Sequence, residues 1–275
     1  MNPAAYQCGP LLSLLQDKLH CHVERLPAGR FQLQEAERTV RTQFGDEAAA
    51  RLPRSPLYGI GVARSGDDYI DYEIGWDDFA RDTDWAHAQL VAAGVTGDDH
   101  VLVTTPNHEA PQMSPIVHAL RRIGATYTPT ETYGWDVNRF LSILRSFPVT
   151  VVIGLGEETL GAISSQVDDL RAEFAKVRLL WARSGPHATL TNAGIPSIGL
   201  ELLGPALGLA VPSAPHDLQV NAAEWQVTAA DDGSLSVAGT HARHDPVPAI
   251  PTGLTGTLTQ QDENTTLVRI GGAPA

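Results

Sequence analysis

Short apolar segments and longer amphipathic segments alternate between about residues 77 and 154, and this alternation constrains the fold more than any other feature. The short segments at residues 100–104 and 150–154 are rich in valine and are typical of buried strands. Residues 113–123 have the spacing of a helix, which Gly124 ends. Strands that alternate with helices over short connections form a parallel sheet covered by helices. The sequence therefore predicts an α/β body.

The pattern divides the chain into three parts. Residues 1–55 contain leucine clusters and many helix formers, which predicts a helical N-terminal segment. Residues 56–215 carry the strand–helix alternation and form the predicted α/β body. Residues 216–275 hold short strands separated by Asp-Asp-Gly and Pro/Gly-rich turns, which predicts a small β-rich subdomain.

Charge and composition narrow the classes of partner. The 275 residues carry a net charge of −13, and an acidic surface repels phosphate backbones, so we expect no nucleic-acid partner. Two cysteines form no disulfide framework and lack the spacing of a zinc site, so we expect no bound metal. The sequence has no apolar run that could span a bilayer and no leader-like N-terminus. We therefore expect a cytoplasmic protein without a membrane partner.

Five short sequence blocks follow one another along the chain. They are Trp-Asp-Asp-Phe at 76–79, Ala-Ala-Gly-Val at 92–95, Leu-Arg-Arg-Ile-Gly-Ala-Thr at 120–126, Thr-Val-Val-Ile-Gly at 150–154 and Ile-Gly-Leu-Glu-Leu-Leu-Gly-Pro at 198–205. In this order they resemble the large domain of phenylacetate–CoA ligases, which belong to the adenylate-forming superfamily. The resemblance implies parallel sheets wrapped by helices, a small β-rich region after them, and the absence of that superfamily's mobile C-terminal domain.

The departures from the family pattern concern ATP. Residues 64–71, Arg-Ser-Gly-Asp-Asp-Tyr-Ile-Asp, stand where the family has its phosphate-binding loop. Asp67 and Asp68 match hydroxyl positions of that loop, Ile70 matches its lysine, and carboxylates repel a triphosphate. The ribose-binding aspartate has no counterpart in residues 269–274, and too few residues lie between 160 and 198 for the adenine-binding segment. With the catalytic lysine of the mobile domain also absent, we expect neither ATP nor Mg²⁺ as a cofactor, whereas CoA or a carrier thioester remains compatible.

The resemblance also suggests an acyl pocket. Candidate site residues fall on the loops that match the family's pocket or its lost phosphate loop. Candidates for catalysis are His108, Glu201, Asp67 and Asp68, and candidates for substrate binding are Asn107, Tyr133, Gly134, Trp135, Gly204, Pro205 and His216. Because open α/β sheets gather ligands at the carboxyl ends of their strands, we expect His108, Tyr133 and the Gly204–Pro205 turn to share one pocket.

Each candidate also has a purely structural interpretation. His108 can be a surface histidine, Trp135 can pack beneath a helix start, and His216 can serve a structural hydrogen bond. Glu201 matches the family's magnesium-binding glutamate and can be an inherited residue without a metal. The aspartates of residues 67–71 can form an exposed acidic hairpin.

Three functional hypotheses follow. The first is a non-adenylating relative of aryl/acyl-CoA ligases that binds a carboxylic acid, a thioester or a carrier-bound acyl group. The second is a repurposed enzyme with ATP-independent lyase, cyclase, hydrolase or acyl-transfer chemistry in the same pocket. The third is a CoA ligase completed by a partner chain. An acyl or aryl compound, an acyl carrier protein and a second copy of the chain in a homodimer are the partners considered.

Overall fold

The computed structural model describes residues 57–65, 68–245, 247–261 and 264–271, so the predicted helical segment 1–55 lies outside the described residues. The helices are α1 (Trp76–Ala92), α2 (Ala110–Ile123), α3 (Val137–Ser146), α4 (Glu157–Ser164), α5 (Leu170–Glu173) and α6 (Ser184–Asn192). The strands are β1 (Leu57–Ser65), β2 (Asp68–Gly75), β3 (His100–Thr104), β4 (Thr126–Thr130), β5 (Val149–Leu155), β6 (Leu179–Ala182), β7 (Ile198–Leu203), β8 (Ala206–Val211), β9 (Ala214–Asn221), β10 (Trp225–Ala229), β11 (Ser234–Gly239), β12 (Ile250–Gln261) and β13 (Thr265–Ile270). No helix in these ranges is long and apolar enough to span a bilayer.

Most strands form one sheet of eleven, and the predicted α/β architecture is confirmed. The strand order is β10-β11-β12-β13-β9-β8-β7-β6-β5-β3-β4. The pairs from β4 to β7 are parallel, and every pair from β7 to β10 is antiparallel. The β-rich region is thus a continuation of the same sheet that begins at β8. Residue 216, the predicted start of a separate subdomain, lies within β9.

Helices cover both faces of the parallel part of the sheet. Alternate side chains of a strand point to opposite faces. Val151 and Ile153 of β5 accordingly pack in a core with α1 and α2, whereas Val152 packs in a second core with α3, α4 and α6. Gly124 ends α2, as the sequence predicted. It has a positive φ of 86°, and its N–H donates to the Leu120 carbonyl at 3.0 Å.

A cluster of ion pairs joins helix α1 to residues between 224 and 243. Arg243, in the loop between β11 and β12, donates from Nη1 to Glu224 Oε2 at 3.0 Å and to Asp82 Oδ1 of α1 at 3.2 Å. Glu224 also accepts from Arg81 Nε at 2.5 Å, and the Arg243 guanidinium carbon lies 4.1 Å from the centre of the Trp225 ring. We call these five residues the Arg243 cluster. It fixes α1 to the antiparallel strands.

A second buried carboxylate anchors the entrance to β3. Asp99 accepts hydrogen bonds from Arg178 Nη2 at 2.5 Å, from Thr150 Oγ1 at 2.6 Å and from the Thr96 N–H at 2.8 Å. Burial alone would raise the pKa of Asp99, but the hydrogen bonds from Arg178, Thr150 and Thr96 outweigh it and lower that pKa. The ionised form is therefore the one that stabilises the fold.

We expect Asp99 to contribute to acid sensitivity. A carboxyl whose pKa is lower in the folded chain stabilises it above the unfolded pKa of about 3.9, and this contribution is lost as the pH falls through the folded pKa. Asp99→Asn should cost about 1–2 kcal/mol at pH 7, because the partly exposed Arg178 is screened by solvent, and less at low pH. Urea unfolding of both proteins from pH 7 to pH 2 measures the difference, and a cost that is the same at all pH values would contradict the assignment.

Candidate functional site

The segment that matches the family's phosphate-binding loop is part of a β-hairpin. β1 and β2 pair antiparallel from Leu57↔Gly75 to Ser65↔Asp68. Backbone groups in a ladder bond to the neighbouring strand and are not presented as a cradle for phosphates. Asp67 lies outside the described residues, and of Asp68 only the backbone is described.

A cavity of about 660 Å³ lies beside this hairpin. It is lined by the hairpin, by the turn after β3, by the residue after β6, by β7 and by β12; we call it the hairpin cavity. Three residues predicted from the sequence line it together, namely His108, Glu201 and Gly204. Val62, Leu202 and Leu254 add apolar surface to it. The volume is within the range of small-molecule sites.

An ion triad that was not predicted from the sequence lies in this cavity. Arg183 directly follows β6, and its Nη2 donates to Glu109 Oε2 in a short contact. Its Nη1 lies 3.6 Å from Glu201 Oε1. Glu201 is held in turn by the Ser184 N–H, which donates to its Oε2 at 3.1 Å. Arg183 thus occupies a position where a parallel strand ends, the place where α/β sheets put ligand-binding groups.

The aromatic turn after β4 lies elsewhere, which corrects the expectation that Tyr133 lines the same pocket as His108. β4 is the edge strand of the sheet, and its turn is held against α4: the Gly134 N–H donates to Glu158 Oε1 at 2.9 Å. Tyr133 stacks on Trp135 with ring centres 6.0 Å apart, and Trp135 is 71% exposed. Among the described residues, the lining of the hairpin cavity does not include Tyr133, Gly134 or Trp135.

Two other candidates also separate from His108. Pro205 lines a small internal cavity beside Trp225 and Arg243, although its neighbour Gly204 lines the hairpin cavity. Asn107 starts the 3₁₀ turn Asn107–Glu109 that carries His108, and it is not among the described lining residues. Gly204 and Pro205 are therefore adjacent in the turn after β7 but line different cavities.

His216 lines a second cavity of about 340 Å³, which we call the histidine cavity. His216 Nδ1 lies 2.8 Å from Nε2 of His187, and His187 Nδ1 lies 2.7 Å from Ser197 Oγ. Burial and then the charge of His216 lower the pKa of His187, so the pair favours a neutral His187 at pH 7. Glu201 lines both cavities and thus stands in the wall between them.

Solved structures of acyl-CoA ligases share this fold. 2-Hydroxyisobutyryl-CoA ligase, solved with 2-HIB-AMP and CoA in an open conformation, superposes with a TM-score of 0.58 at 12% identity over 86% of this chain and 61% of that one. O-succinylbenzoate CoA synthetase from Bacillus subtilis, solved with AMP, gives a TM-score of 0.51 at 12% identity over 86% of this chain and 56% of that one. An ATP-bound chimera, RpMatB-BxBclM, gives 0.56 at 12% identity, over 86% and 56%.

These comparisons show the fold of the adenylate-forming large domain. No family model and no curated protein matches the sequence. The chain spans 55–61% of the length of the first three solved ligase structures that it matches. The solved structures support the fold that the resemblance implies; membership of the superfamily and the narrower likeness to phenylacetate–CoA ligases stay predictions.

Proposed function

We propose that the protein is a non-adenylating relative of aryl/acyl-CoA ligases that binds an acyl or aryl group in the hairpin cavity. The ligand is a carboxylic acid, a thioester or an acyl group on a carrier. The observation that carries the proposal is the cavity itself, which combines about 660 Å³ of space with the apolar side chains of Val62, Leu202 and Leu254 and with polar and charged groups. His108 is one of the polar side chains that line the cavity and could contact a ligand carbonyl.

Loss of ATP chemistry is supported by the hairpin. On both sides of residues 66–67, the segment is paired as β-strands, which directs part of its backbone hydrogen-bonding groups to the neighbouring strand. Ile70 at the lysine position supplies no charge, and Asp67 and Asp68 at hydroxyl positions would repel the nucleotide. Cytoplasmic location and assembly as a homodimer stay predictions.

An ATP-independent enzyme is the second candidate. It is favoured by the contact between His187 and His216 in a cavity that shares Glu201 with the hairpin cavity. Imidazole and carboxylate groups are the usual general acids and bases of proteins, and a pair of imidazoles within hydrogen-bond distance can pass a proton. In this candidate the acyl group would occupy the hairpin cavity, and Glu201 would connect it with the histidines.

Binding measurements on a matched pair of variants test the proposed site. Val62 lines the cavity and Val91 lies on the exposed side of α1, and both are exposed valines, at 40% and 49%. We expect benzoate, hexanoate or their thioesters to bind the natural chain, and Val62→Trp to weaken that binding at least about 10-fold because the larger indole takes up space that the ligand would occupy. Val91→Trp should change it less than about twofold. NMR titration or calorimetry gives the dissociation constants.

Calorimetry with Mg-ATP completes this test. We expect no binding at millimolar nucleotide. A micromolar dissociation constant would contradict the loss of ATP chemistry and would favour a CoA ligase completed by a partner chain. Ligand binding that Val62→Trp and Val91→Trp weaken equally would place the site outside the hairpin cavity.

A further inference from the structure

The charges around the hairpin cavity restrict the acyl compounds that it accepts. Among the described side chains that line it, Arg183 is the one arginine or lysine, while Glu109 and Glu201 are carboxylates. The one positive and two negative charges of these three side chains sum to −1. Tyr69, Gln112 and Thr252 add polar but uncharged groups.

Arg183 already pairs with two carboxylates of the protein. Its guanidinium contacts Glu109 and approaches Glu201, and the three side chains are 14%, 21% and 14% exposed. Arg183 therefore cannot receive a ligand carboxylate without giving up a carboxylate that is itself largely removed from water. Breaking such a pair leaves an uncompensated charge, which is costly in a partly buried site.

A free acid and its thioester differ in the free energy of transfer from water into this cavity. The carboxylate of the acid loses hydration, finds no unpaired cation among the described lining residues and is repelled by the excess negative charge. The carbonyl of a thioester carries no charge and loses less on entering. Both forms present the same acyl chain to Val62, Leu202 and Leu254, so the acyl chain itself contributes equally to the binding of each.

We propose that the hairpin cavity selects uncharged acyl derivatives, with thioesters as the biological form, over the corresponding free acids. This inference rests on the proposed function, because it assumes that the cavity binds acyl groups. In this proposal Arg183 and its two glutamates determine the specificity of the cavity, because the glutamates neutralise the cation that would otherwise attract a carboxylate.

Matched ligand pairs test the selection. Benzoate and hexanoate are compared with their N-acetylcysteamine thioesters by ¹H–¹⁵N NMR titration of the full chain at pH 7.5. We expect each thioester to bind at least about 10-fold more tightly than its acid. Glu201→Gln removes one of the two negative charges beside Arg183, so it should tighten acid binding and reduce this ratio by about fivefold or more.

Two further variants make the result interpretable. Glu109→Gln removes the other carboxylate and should also reduce the ratio, which preserves the test if Glu201→Gln does not fold. Glu173→Gln changes a glutamate that pairs with Arg145 and is absent from the described cavity lining, so it should leave the ratio unchanged. A reduced ratio in Glu173→Gln as well would show a long-range effect of net charge and overturn the local explanation.

The outcomes separate the inference from the proposed function. If an acid binds as tightly as its thioester, the selection is overturned while the acyl site stands. If neither form binds, the proposed function fails and the selection fails with it. If the thioester is preferred but the ratio is unchanged in both glutamate variants, the Arg183 triad is not its cause.

Discussion

Replacing Arg243 by methionine should lower the free energy of unfolding by about 3–5 kcal/mol, because it takes the arginine from Asp82 and leaves the buried Glu224 with Arg81 alone among the described cations. The side chains of Arg243 and Glu224 are each 1% exposed, so solvent cannot replace the lost contacts. The substitution also removes the guanidinium from the face of the Trp225 ring. Denaturant unfolding followed by tryptophan fluorescence and circular dichroism measures the change.

A surface arginine provides the control for this prediction. Arg269 forms a bidentate ion pair with Asp217, with hydrogen bonds of 2.8 and 2.9 Å, but its side chain is 55% exposed. Arg269→Gln should cost less than about 1 kcal/mol. Adding Asp82→Asn to Arg243→Met should recover part of the loss, since burial raises the pKa of Asp82 and Arg243 opposes that rise. Equal losses for the two arginine variants would refute the role assigned to the Arg243 cluster.

Trp181→Ala should destabilise the chain by a similar amount, about 3–5 kcal/mol. Trp181 is fully buried in β6, and its Nε1 donates to the Ala210 carbonyl of β8 at 2.9 Å. Alanine would leave a large internal void and an unpaired carbonyl. Trp181→Phe keeps most of the ring and should cost less, about 1–3 kcal/mol.

Trp135 is the matched control, because it is the same residue type at an exposed position. Trp135→Ala should change the free energy of unfolding by about 0.5 kcal/mol or less. Chemical unfolding of the three variants beside the natural chain gives the comparison. A small effect of Trp181→Ala would mean that the two faces of the sheet are packed differently from this description.

The sequence predicts those parts of the fold in which local pattern and tertiary packing agree. The strand at 100–104 and the helix ended by Gly124 have clear periodicity and a clear stop, and both are found. β6 has four residues, Leu179–Ala182, which are too few to show a period of two. β8 contains Ala206 and Gly208 and lacks the composition of a typical strand, so it was not predicted either.

Only part of the candidate site could be predicted from the sequence. His108, Glu201 and Gly204 meet in the hairpin cavity as the position of their segments suggested. Tyr133 does not, because β4 is the edge strand and its turn is held by α4. The contact of Arg183 with Glu109 joins residues 74 positions apart, and the contact of His187 with His216 joins residues 29 apart. Such pairs depend on sheet order and leave no local pattern.

The position of the Arg243 cluster also bears on how the protein is made. The carboxylates of Asp78 and Asp82 on α1 receive their partners from residues 243 and 244, and β1 contacts β12. At a synthesis rate of about 5–20 residues per second, these partners leave the ribosome roughly 10–30 s after α1. During that interval Tyr72, whose ring packs edge-on against that of Trp225 in the folded chain, cannot be fully covered, so the nascent chain exposes apolar surface until the residues around Arg243 have been made.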